Sequence, residues 1–168
     1  FTNVRGALAA STSDGNINVQ MIAGSVEVKS SDGDIRLESI NGDVRASTSD
    51  GNISVVRITG NTSLKTSDGN ISFEDLSGSL TASTSDGNVT GNVLELKREL
   101  TIKTSDGNIA VTIPGRLGLD LNIKGESLVV PLTNFTGQSD EKSIQGKSNG
   151  GSTPVNLSTS GNVTLSYR

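Results

Sequence analysis

The sequence predicts an all-β parallel solenoid built from 18-residue coils. Three observations carry this. Ser-Asp-Gly recurs with its glycine at 15, 33, 51, 69, 87 and 107, in four steps of 18 residues and a last of 20. Glycines also recur every nine residues from Gly6 to Gly87, so each coil divides into two halves. Each half carries apolar residues two and four positions after its glycine, as in Ile17 and Val19 or Val26 and Val28. A period of two marks a short strand with one face buried. An antiparallel meander with a hairpin at each Asp-Gly is the competing fold. It does not require near-identical turns, whereas stacking at about 4.8 Å places like residues on like residues and rewards that identity.

Along the chain, Val4 precedes Gly6 as Ile22 precedes Gly24, so residues 1–5 read as the tail of a preceding half-coil, with further repeat or a cap expected upstream. In halves that open with Ser-Asp-Gly, a third apolar residue follows at Ile22, Ile40, Ile58 and Leu76; the other halves hold Ser31, Ser49, Ser67 and Ser85 there. One turn is therefore apolar and the other small and polar. The nine-residue period fails after Gly87, where two extra residues enter and Arg98 takes a glycine slot. Residues 1–113 are expected to form the regular repeats. Ile113-Pro114-Gly115 breaks the pattern, and residues 114–168 are expected to close the same domain as an irregular cap. Its parts are a new strand around Leu117–Ile123, an exposed loop over 134–153, and closing strands around Val155, Leu157, Val163 and Leu165.

Composition narrows the chemistry. Aromatics are 2 % of residues, so the core must be aliphatic and thin. Fourteen basic residues are scattered among 18 acidic ones without a basic stripe, which argues against nucleic acid as a partner. No apolar run approaches the length of a membrane-spanning helix. Histidine and cysteine are absent, which removes triads, thiol nucleophiles and zinc-thiolate sites.

The sharpest polar pattern is the file Asp14, Asp32, Asp50, Asp68, Asp86 and Asp106. Neighbouring carboxylates one coil apart repel by about 0.9 kcal/mol in water and about 3–4 kcal/mol at an effective dielectric of 20. The file is thus solvated and bonded to turn amides as Asx turns, or neutralised by cations. The Asx turn is the expected reading. Under a calcium β-roll alternative, Asp32, Asp34 and Asp43 form the first site to test. Asn16, Asn52, Asn70, Asn88 and Asn108 read as a structural amide ladder. Thr12, Thr48, Thr66, Thr84 and Thr104 form another file, without the second threonine file an ice-binding face needs. No carboxylate pair stands out for glycoside hydrolysis, so a carbohydrate-active β-helix enzyme is the weakest alternative. No catalytic, cofactor or metal residue is singled out.

The repeated Thr-Ser-Asp-Gly-Asn-Ile, followed by Ile109-Ala110-Val111-Thr112-Ile113-Pro114, Leu119-Asp120-Leu121, Ile144-Gln145-Gly146-Lys147 and Val155-Asn156-Leu157-Ser158-Thr159-Ser160-Gly161-Asn162-Val163, resembles a bacterial adhesin family of β-strand repeats, a domain of unknown function. The resemblance spans nearly the whole chain. It implies export to the cell surface, periplasm or medium, a β-solenoid fold, and no established activity. The expected role is a non-enzymatic, extracytoplasmic scaffold or adhesin whose polar ladders meet cell-surface, matrix or glycan ligands.

Overall fold

A computed structural model describes residues 1–168, with sixteen strands in one continuous sheet and no helix. Throughout the repeats, neighbouring strands run parallel, with an offset of 18 residues that becomes 20 past the two-residue insertion after Gly87. Ile17, Ile35, Ile53, Ile71 and Val89 stack in one column; Leu8, Val26, Val44, Thr62 and Leu80 stack in another. The chain is therefore a solenoid and not a meander.

Each coil turns around a two-sided aliphatic core with a short third side. In the strand Ile17–Ala23, Ile17, Val19 and Ile22 point inward, while Gln20 and Met21 are both exposed. Two successive outward residues require a bend. Met21 supplies it with φ of 55°, and Ser39, Arg57 and Asp75 repeat it one coil apart at φ of 53–56°. Ile22, Ile40, Ile58 and Leu76 then fill the short side. A single cluster of 35 buried apolar residues runs the length of the rod.

Packing along a column is complementary. Phe73 is the one aromatic residue in the buried core, and Gly91 lies directly above it. A Cβ at Gly91 would stand 2.1 Å from the Phe73 carbonyl oxygen and 2.6 Å from two of its ring carbons, so the missing side chain makes room for both backbone and ring. Thr62 is the opposite case. It occupies the column between Val44 and Leu80, is 3 % exposed, and its hydroxyl has no hydrogen-bond partner. Burying an unpaired hydroxyl costs about 1–3 kcal/mol. We expect Thr62→Val to stabilise the protein by about 1 kcal/mol or more, raising the melting temperature by about 2–4 °C. An unchanged or lower temperature in differential scanning calorimetry would contradict this.

The C-terminal segment is more regular than an irregular cap, and its order in space is not its order in sequence. Thr153–Ser158 pairs in parallel with Val89–Lys103, and Asn162–Tyr167 pairs in parallel with Ile109–Ile113. The last coil of the chain therefore lies directly on the last regular repeat. Leu119–Lys124 and Ser127–Val129 lie on top of that final coil, again in parallel. An antiparallel hairpin, Phe135–Ser139 with Ser143–Ser148, closes the end against Leu119–Lys124. Ser158-Thr159-Ser160-Gly161-Asn162-Val163 is thus one more copy of the turn motif, with the aspartate deleted. The Thr159 hydroxyl donates to Gly107 O, and Asn162 N–H donates to Asn108 Oδ1 at 2.9 Å, as earlier coils do.

Candidate functional site

The Asn ladder forms along the turn edge. Asn70 N–H donates to Asn52 Oδ1 at 3.0 Å, Asn88 to Asn70 at 2.9 Å and Asn108 to Asn88 at 2.8 Å. Each amide nitrogen also reaches the oxygen below, at 3.2–3.3 Å. Asp34 takes the same role in its coil and accepts from both Asn52 nitrogens, at 2.7 and 3.1 Å. A second ladder on the opposite side links Asp43, Asn61 and Ser79.

The turn itself is built differently from expectation. Asp14, Asp32, Asp50, Asp68 and Asp86 accept no turn amide, so the Asx turn does not form. The hydroxyl two residues earlier does that work. Gly69 N–H donates to Thr66 Oγ1 at 3.3 Å, and Gly87 and Gly107 donate to Thr84 and Thr104 at 3.2 Å. Ser30 substitutes in its coil, accepting from Gly33 at 3.0 Å. A hydroxyl wins because the threonine points inward beneath the glycine, whereas the aspartate points into water. Asp140 shows the Asx turn that the file lacks. Lys142 N–H and the Ser143 hydroxyl and N–H all donate to it, and hold its carboxyl below the usual range. Asp32, Asp34 and Asp43 do not converge: Asp34 and Asp43 each serve a separate ladder, and no three acidic side chains are grouped to hold a cation.

The main concavity is a groove of about 580 Å³ on the outer surface of the strands Leu8–Ser11, Val26–Lys29 and Val44–Ser47 and their successors. It runs across five coils. One wall is the file Ser25, Asp43, Asn61 and Ser79; the floor is Ala9, Glu27, Arg45, Ser63 and Thr81. The two residues inserted after Gly87 explain its closed end. They shift the pairing between Gly78 and Leu80, and Arg98 and Glu99 stand out from the sheet there. The groove carries Arg45 and Arg98 against Glu27, Asp43 and Glu99. Lys29 hydrogen-bonds Glu27 at 2.8 Å and holds that carboxyl below the usual range. Sequence reading alone did not find this groove, because its end is made by an insertion that reads as a lapse in the period.

A smaller groove of about 300 Å³ lies farther along the same face, between Lys103 and Lys124. Ser158 sits between the two lysines, and Thr101, Asn156 and Asn122 line its side.

Each groove has one side that carries a polar residue at every coil: Ser25, Asp43, Asn61 and Ser79 in the larger, Thr101, Asn156 and Asn122 in the smaller. Such a surface suits an extended ligand gripped at many weak points, since several modest contacts on one scaffold multiply in effect.

Comparison with known proteins places these features in context. The family model described as Toastrack DUF4097 matches residues 5–166. No curated protein and no solved structure matches the chain.

Proposed function

This chain belongs to the Toastrack family, a domain of unknown function, and from that premise we propose that it is a non-enzymatic, extracytoplasmic attachment module or scaffold. The observation that supports this reading is the polar side chain at every coil along one wall of the groove. Ser25, Asp43, Asn61 and Ser79 offer one polar contact per coil. A reaction needs one distinguished position, whereas attachment benefits from many equal ones. The extracytoplasmic setting draws on the resemblance to exported adhesins.

A glycan and matrix-protein array, probed with the folded chain, tests the attachment role. Binding that weakens when Asn61 and Ser79 are both changed to alanine is the expected result. Asn61 is exposed, Ser79 is half-buried and the two share a hydrogen bond at 2.7 Å, so the double change should cost about 1 kcal/mol and leave the chain folded. A blank array would leave only a scaffold.

A further inference from the structure

We propose that the C-terminal half of the grooved face binds an extended acidic polysaccharide carrying one negative charge per disaccharide. This rests on the attachment reading and names its ligand class. One outward file on this face reads, in spatial order, Lys65, Ser83, Lys103, Ser158, Lys124 and Ser143. Lysine and serine alternate strictly, even where the chain order of the coils is broken. Successive lysines are therefore two coils apart, about 9.6 Å. Lys65, Lys103 and Lys124 are exposed and form no ion pair, in contrast to Lys29 with Glu27.

The neighbouring file, two residues earlier in each parallel strand and two later in the antiparallel one, is free of charge over the same stretch: Thr81, Thr101, Asn156, Asn122 and Gln145. Amides and hydroxyls both donate and accept, which matches the hydroxyl-rich surface of a sugar chain. Asn156 already reaches Thr101 across the coils at 3.4 Å, so the file is continuous. The aspartate file bounds the other side of the lysines, at the turn. It repels an anion there and confines the ligand to the amide side. That fence is interrupted after Asp106, where Ser160 follows and donates to the Asp106 carboxylate at 3.1 Å, and it resumes only with Glu126, which Lys142 pairs at 2.8 Å. The Lys103–Lys124 groove is therefore the least fenced part of the lysine file.

Other polyanions fit less well. An extended acidic peptide presents same-side carboxylates about 6.6–6.8 Å apart, out of step with the lysines. Single-stranded nucleic acid is gripped by aromatic platforms, and this face has none.

The test measures binding by calorimetry at low and moderate salt. The probes are a hyaluronan octasaccharide, which has one carboxylate per disaccharide, a polygalacturonate of equal length, a neutral chitin oligosaccharide, polyglutamate and a thymidine oligonucleotide. Hyaluronan is expected to bind best, with affinity falling as salt rises. The variant K103A/K124A is expected to lose about tenfold, the effect of two exposed ion pairs. Asn122→Ala should weaken binding without changing its salt dependence, and Lys29→Ala should leave it intact. Circular dichroism checks that each variant remains folded. Equal binding of polyglutamate or the oligonucleotide, or hyaluronan binding untouched by K103A/K124A, would overturn the inference. Binding of a neutral glycan or a matrix protein that ignores both lysines would also overturn it while leaving the attachment role standing. No binding to hyaluronan on a blank array would end both.

Discussion

Gly69→Ala is expected to destabilise the protein by about 4 kcal/mol or more, a loss reserved for steric failure in a packed interior. Gly69 does not need glycine for its backbone angles, since its φ is not in the left-handed region. It needs glycine because coils stack so closely at the turn. A Cβ there would lie 1.9 Å from the carbonyl oxygen of Gly51 in the coil below. That oxygen is backbone and cannot rotate away, so the two coils must separate. Gly33, Gly51, Gly87 and Gly107 repeat the conflict at 1.9–2.1 Å. Gly15 is the control within the same chain. Its nearest contact would be the Thr12 hydroxyl at 3.1 Å, a side chain able to shift. Gly15→Ala should therefore cost about 1 kcal/mol or less. Urea unfolding of both variants checks the contrast. Because each coil contacts only its neighbours, hydrogen exchange in Gly69→Ala should rise first around the Gly51–Gly69 junction. Equal stability of the two variants would refute close stacking as the reason for the glycine file.

The sequence made that stacking legible because identity at a fixed interval is the direct consequence of one coil resting on another. Ile17 over Ile35 over Ile53, and Asn52 over Asn70 over Asn88, could be read from spacing alone. The Ser158–Val163 segment escaped the same reading for two reasons. It lacks the aspartate, and it sits 54–55 residues from its structural neighbours, Ile109 and Lys103. No period connects them. The coil order is set instead by tertiary packing, which lets the final coil slide beneath Leu119–Lys124. The left-handed bend at Met21, Ser39, Arg57 and Asp75 was hidden for another reason. The side chains there face water, so nothing constrains them to be alike, and the backbone demand leaves no common residue. The lysine–serine alternation was divided by the same coil exchange. Lys103, Ser158, Lys124 and Ser143 are neighbours only in space.

Thr66→Val is expected to destabilise the protein by about 2–4 kcal/mol, although valine matches threonine in shape. Thr66 is 2 % exposed, and its hydroxyl bridges two coils. It accepts from Gly69 N–H in its own turn, and lies 3.0 Å from both Gly51 O and Ser49 O in the coil below. Ser49 O also accepts from Ser67 and Asp68 N–H, so it stays paired without the hydroxyl. Gly69 N–H and Gly51 O have no such substitute, and each buried group left unpaired costs about 1–3 kcal/mol. Thr66→Ser keeps the bridge and loses one methyl, so it should cost only about 1 kcal/mol. Ser30 already performs this role in its own coil, accepting from Gly33 N–H at 3.0 Å and donating to Gly15 O at 3.3 Å. The same change at Thr62 is expected to act in the opposite direction, because that hydroxyl is buried without a partner. The pair thus separates the two consequences of a buried hydroxyl on one scaffold. Chemical denaturation should place Thr62→Val above the parent, Thr66→Ser slightly below it and Thr66→Val lowest. If Thr66→Val instead matched Thr66→Ser, the hydroxyl would not be what ties the coils together at this turn, and the threonine file would owe its regularity to the packing of its methyl groups.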